Sequence, residues 1–119
     1  MAVTKTARTI QASTSVSAGA TQNGTEIDLS AALGMAITAR ITNGGTGPTI
    51  GCTAIVEVRE SGSGNWRTWA QATAPVTANA VTDFAWDVPA SVIRVRVTFT
   101  GHTGQAVTVE AIGHELTTI

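Results

Sequence analysis

The sequence predicts an all-β fold: a single antiparallel β-sandwich, jelly-roll or immunoglobulin-like, with an extended N-terminal arm. Three observations predict it. Apolar and polar residues alternate through a series of short stretches, the period of half-buried strands. Turn-forming Gly, Asn and Pro residues punctuate the chain about every ten residues. No stretch carries the apolar spacing of a helix longer than a single turn.

The clearest alternation lies near the C-terminus. Ile93, Val95, Val97 and Phe99 interleave with Arg94, Arg96 and Thr98, and after Gly101–Gln105 the pattern resumes with Val107, Val109 and Ala111. A loop of about five residues suits a hairpin, so these strands are expected to pair antiparallel, Val97 against Val109. That register sets Arg96 opposite Glu110, a cross-strand pair of ~0.2–1 kcal/mol.

From the start of the chain, residues 1–25 read as an N-terminal arm with a possible first strand over Ala7–Val16, and residues 26–119 as the sandwich domain. Eight extended residues reach ~26 Å, enough to touch a neighbouring subunit; a frayed terminus is the alternative. Ile27-Asp28-Leu29 is either a short strand or, with Asp28 or Ser30 as cap, the entry to one turn closed by Gly34. Ala36–Thr42 points Ile37, Ala39 and Ile41 inward. Cys52–Arg59 does the same with Ala54, Val56 and Val58, and Trp66–Ala72 returns antiparallel to it after a Ser61–Asn65 turn. Trp66 and Trp69 differ by an odd number of positions, so a regular strand faces them to opposite sides unless a bulge intervenes. Ala74–Asn79 is a linker. Thr82–Val88 follows, with Phe84, Trp86 and Val88 on one face, and Pro89 ends it. Trp86, Phe84, Phe99 and one of Trp66 and Trp69 are expected at the centre of the core.

Composition narrows the function. Formal charge is −1, with seven basic residues scattered among eight acidic ones, so no basic stripe marks a nucleic-acid surface. No apolar run serves as a signal peptide or approaches the ~20 residues of a membrane-spanning helix. The reading is therefore a protein with neither nucleic-acid nor membrane partners, made in a host cytoplasm. The single cysteine, Cys52, forms no internal disulfide and reads as a small core residue. Charged residues are only 13% of the chain, with one lysine, Lys5, against six arginines. Interfaces are depleted in lysine, so a surface of Thr, Ala, Ser and Gly points to coverage by other chains; a lineage with an Ala/Thr habit is the alternative.

No motif carries catalysis. His102 and His114 stand at opposite ends of a strand, roughly 30 Å apart, and read as separate surface residues that share no metal ion. Asp83 and Asp87 lie about 13 Å apart, too far for a glycosidase pair, whereas a pairing of Glu57 with Asp83 across strands stays open. The glycines of Asn43–Pro48 lack the Gly-Lys-Ser/Thr and following helix of a phosphate loop. The chain is read as no enzyme, with no catalytic residues, no cofactor and no metal.

Ile27-Asp28-Leu29-Ser30, the loop Ile41-Thr42-Asn43-Gly44-Gly45-Thr46-Gly47-Pro48 and the stretch from Val56 to Trp66 give the chain its style of strand and turn. In that style, over residues 1–119 and without a diagnostic motif, it resembles the head decoration, or cement, proteins of tailed bacteriophages. The resemblance implies a structural protein at the capsid surface of a virion that binds major capsid protein subunits and braces the shell. From the low-charge surface, a homo-oligomer, dimer or trimer, is expected as well. Lys5, Arg8 and Ile10 in the arm and first strand, with Trp66 and Trp69, are the candidate partner contacts. Two alternatives stand beside it: a phage neck or tail accessory protein, and a carbohydrate-binding module in which Trp66 or Trp69 stacks on a sugar beside Asn65, Arg67 and Gln71.

Overall fold

The computed structural model describes residues 3–60, 64–89 and 91–118, so Met1, Ala2, the Ser61–Ser63 part of the expected turn, Ala90 and Ile119 lie outside it. The described residues form nine strands: β1 (Val3–Val16), β2 (Gln22–Asn23), β3 (Ile27–Asp28), β4 (Gly34–Asn43), β5 (Thr53–Arg59), β6 (Arg67–Thr73), β7 (Val81–Pro89), β8 (Arg94–Thr100) and β9 (Val107–Thr118). No helix appears among the described residues. Two antiparallel sheets stack, one ordered β1-β9-β4-β7 and the other β2-β8-β5-β6, with β3 beside β2 on the same edge of β8.

Counted as one interrupted strand, β2 and β3 bring the total to eight and reveal the winding. First pairs with last (β1 with β9), second with seventh (β2 and β3 with β8), third with sixth (β4 with β7), and fourth with fifth (β5 with β6). That is one long hairpin rolled up, closed by β4 on β9 and β5 on β8. The sandwich is therefore a jelly roll, which settles the choice between topologies. The interruption falls at Gly24, whose N–H donates to the Val97 carbonyl at 2.8 Å. A β-carbon there would lie 2.7 Å from that oxygen and 2.9 Å from the Ile10 carbonyl oxygen, so only glycine lets the chain pass between β8 and β1.

The winding overturns the expected C-terminal hairpin. β8 and β9 lie in different sheets; Arg96 pairs with Glu57 of β5 at 3.0 Å, and Glu110 faces Arg40 of β4 at 3.9 Å. Alternation specifies which side chains face inward, and Val97 and Val109 are both fully buried, but from opposite sheets. The loop between them crosses the sandwich. His102 within it is fully buried, correcting the expected surface position, and its Nε2 sits 3.0 Å from the Val16 carbonyl oxygen. A carbonyl only accepts, so Nε2 carries the proton. His114 is exposed on β9.

β1 begins at Val3, with Val3–Ala7 paired to Thr118–His114 of β9, where sequence alone suggested a free arm before Ala7. Asp28 closes β3, and its Oδ1 accepts the Ser30 N–H at 2.9 Å; the turn that follows spans Leu29–Ala32, and Gly34 does not close it but opens β4. The core is aliphatic: Ile10, Leu29, Met35, Ile37, Ile41, Val56, Val95, Val97, Val107 and Val109 are fully buried around Phe99, the one aromatic at its centre. Phe84 and Trp86 are only half-buried, because β7 is an edge strand with an uncovered flank; their rings stack at 5.8 Å. Neither Trp66 nor Trp69 reaches the core.

Candidate interaction surface

The outer face of the second sheet gathers most of the charge. Pairing β5 with β8 sets Glu57 beside Arg96 and Arg59 beside Arg94, and the β2–β3 edge adds Glu26 and Asp28. Arg59 donates through Nε and a terminal nitrogen to the two Glu26 oxygens at 3.1 and 2.7 Å, a bidentate pair. This hydrogen bond holds the Glu26 carboxyl below its ordinary value; the Asp28 carboxyl is lowered chiefly by the Ser30 backbone N–H. The Thr98 hydroxyl lies within hydrogen-bond reach of both the Glu57 carboxylate and Asn23 Oδ1, with one proton to donate between them. The indole of Trp66 lies on this lattice, with the guanidinium carbons of Arg59 and Arg96 at 4.5 and 4.4 Å from its ring centroid. Trp66 is thus occupied by two cations and not presented as a bare platform.

Trp69 behaves differently. The ladder between β5 and β6 shifts between Val56 and Glu57, and Trp69 falls at that bulge, 47% exposed, the more open of the two tryptophans. It lines a cleft of 410 Å³ with Val58, Arg67, Thr68, Val92 and Ile93, between the end of the β5–β6 hairpin and the segment leading into β8.

The first sheet's outer face holds one further cluster. Arg40 binds Asp83 through two nitrogens at 2.7 and 3.1 Å, which lowers the Asp83 pKa and raises that of Arg40. Glu57 and Asp83 therefore face outward from different sheets and form no carboxylate pair. Among the described residues no three His, Cys, Asp or Glu side chains converge as a metal site.

Of the candidate contacts, Lys5 is exposed on β1, and Arg8 donates to the nearly buried Glu115 at 2.6 Å. Ile10 is fully buried and belongs to the core: it stands two residues from Arg8 on the inward-facing side of β1. The structure does not bring Lys5 and Arg8 together with the tryptophans: β1 lies in one sheet and β6 in the other. What sequence reasoning missed was the Arg59–Trp66–Arg96 stack, since its members meet only through strand pairing.

All six arginines and seven of the eight acidic side chains are engaged in ion pairs within the chain. Among the described residues, Lys5 and Asp87 are the charged side chains left over. Most such exposed pairs add little stability, but together they leave a surface with few free charges.

No protein-family model matches the chain, and no curated protein matches it. Among solved structures, 97% of it superposes on 32% of a chain from the structure of infectious bursal disease virus, Gx strain, with a TM-score of 0.59 and 14% identity. The chain spans about a third of that viral chain's length. It also superposes over 96% of both chains on the SPBc2 prophage-derived protein YomS, with a TM-score of 0.51 and 16% identity. At these identities the likeness is one of fold.

Proposed function

We propose that this chain is a non-enzymatic structural component of a virus particle, a decoration or cement protein that binds major capsid protein subunits on the assembled head and braces them. The observation that carries the reading is the jelly roll itself, shared over nearly the whole chain with a chain from a virus structure and with a prophage-derived protein. The depleted charge supports it: a surface whose arginines are all internally paired offers few hydrated groups to strip when another chain covers it. The role needs no cofactor, metal, nucleic acid or membrane, and it places the protein at the capsid surface. A neck or tail accessory role uses the same features and differs in the particle that is bound.

Trp69 favours one second reading. Its exposed indole at the edge of the cleft, with Arg67 and Thr68 alongside, has the composition of a sugar subsite, whereas Trp66 does not because arginines cover it.

Binding of the purified protein to isolated phage heads tests the first reading. A fixed stoichiometry per capsid subunit, with raised resistance of the shell to heat, is the expected result. No binding to heads or tails, with saturable glycan binding abolished by Trp69→Ala, overturns it in favour of the second.

A further inference from the structure

The two leftover charges are not scattered. Lys5 lies on β1 and Asp87 on β7, the two edge strands of the same sheet. They also share a face. Lys5 is in register with Leu116, Leu116 with Gly34, and Gly34 with Pro89; Asp87 stands two residues from Pro89 and so points to the same, outward side.

Both edges are open. Along Val3–Thr9 the free edge of β1 makes no backbone hydrogen bond to other described residues; the first such bond comes at Ile10, whose carbonyl accepts from Thr25. From Val81 to Val88 the free edge of β7 makes no backbone hydrogen bond to other described residues, and its ladder with β4 runs without a bulge. Such strands are templates for further pairing. Their charges are of opposite sign: Lys5 and Arg8 on β1, Asp83 and Asp87 on β7. Pairing β7 with β7, or β1 with β1, opposes like charges. Pairing β1 with β7 does not.

We infer that copies of this chain associate head to tail, the Val3–Thr9 edge of one copy adding to the β7 edge of the next and extending the sheet from protomer to protomer. Successive strands of the sheet alternate in direction, so β1 and β7 run opposite ways, and a copy set alongside in the same orientation pairs antiparallel. Lys5 beside Asp87 sets Ala7 beside Ala85 and Thr9 beside Asp83. On the inner face the same register brings Arg8 to Phe84, covering the stacked Phe84 and Trp86 rings that the fold leaves half exposed. The contact is heterologous, so it closes a ring or grows a filament and does not stop at a two-fold dimer.

This goes beyond the proposed capsid role and stands apart from it: a chain that stays monomeric but still binds heads overturns this inference alone. Sedimentation velocity of the full chain over a range of concentrations tests it, with thermal melting to show that each variant is folded. Wild type is expected to associate with rising concentration and less so at high salt. Lys5→Glu and Asp87→Lys should each weaken association about tenfold or more, by replacing an attractive cross-strand pair with a repulsive one. The double variant, with both charges exchanged, should recover it. A monomeric wild type, single variants that associate like wild type, or a folded double variant that stays monomeric overturns the inference.

Discussion

Gly51 is pressed against the backbone of Ala74, so closely that a β-carbon on it would lie 2.0 Å from the Ala74 carbonyl oxygen. Cys52, next in the chain, accepts the Ala74 N–H at its carbonyl at 2.8 Å, and Asn43 donates its side-chain amide to the carbonyls of Pro75 and Thr77 at 2.8 and 2.9 Å. The loop after β4 and the linker before β7 are stitched together backbone to backbone. Gly51→Ala is expected to cost about 2–4 kcal/mol, because the obstructing atom belongs to main chain and has nowhere to move. Gly44→Ala in the same loop meets nothing within 4 Å and should fall within about 0.5 kcal/mol of wild type. Urea denaturation of the two variants checks the contrast.

Removing Met1–Ala7 strips the partner from His114–Thr118 of β9. The truncated chain should keep its core, since Ile10 and Val16 remain, but lose about 1–2 kcal/mol, or roughly 5 °C in melting temperature. An unchanged melting temperature would show that the first half of β1 adds nothing to the fold.

How much was legible in the sequence follows from what period-two alternation encodes. It assigned Ile37, Ala39 and Ile41, and likewise Val95, Val97 and Phe99, to the inside, and all six are buried. It does not encode which strand lies alongside. The pairing of β8 with β5, and hence the meeting of Arg59, Arg96 and Trp66, depends on residues far apart in the chain. Phe84 and Trp86 point inward as their alternation predicts, yet only the position of β7 at a sheet edge leaves them half covered. His102 departs from the pattern because polar loop residues ordinarily lie outside, whereas this loop joins strands of two sheets and folds over their end.

Acid should weaken the fold through the outward-facing carboxylates. Glu26, Asp28 and Asp83 all have pKa values lowered from their ordinary 4.5, 3.8 and 3.8 by hydrogen bonds from Arg59, Ser30 and Arg40. A lowered folded-state value means that the unfolded chain takes up protons first as pH falls. Their contribution is therefore complete above about pH 4.5 and is lost as pH drops through and below the ordinary values. Denaturation midpoints at about pH 6 and about pH 3 should differ, and Glu26→Gln should reduce the difference.

Cys52 is fully buried, and burial pushes its thiol up to about 11 from an ordinary 9.0. A thiol-reactive disulfide reagent at neutral pH should leave the folded protein unlabelled and modify it once it is denatured. The raised value also sets an alkaline limit: above pH 9.0 the unfolded chain ionises first, so stability declines as pH rises towards 11. Rapid labelling of the native protein would place the sulfur at the surface.

Because the roll pairs the first strand with the last, Val3 and Thr118 stand opposite one another on adjacent strands. Entry and exit are therefore neighbours at one margin of a body measuring 49 × 30 × 18 Å. Such a unit can be spliced into a loop of a larger polypeptide without prying its host apart, and short linkers would suffice to fuse it or permute it circularly.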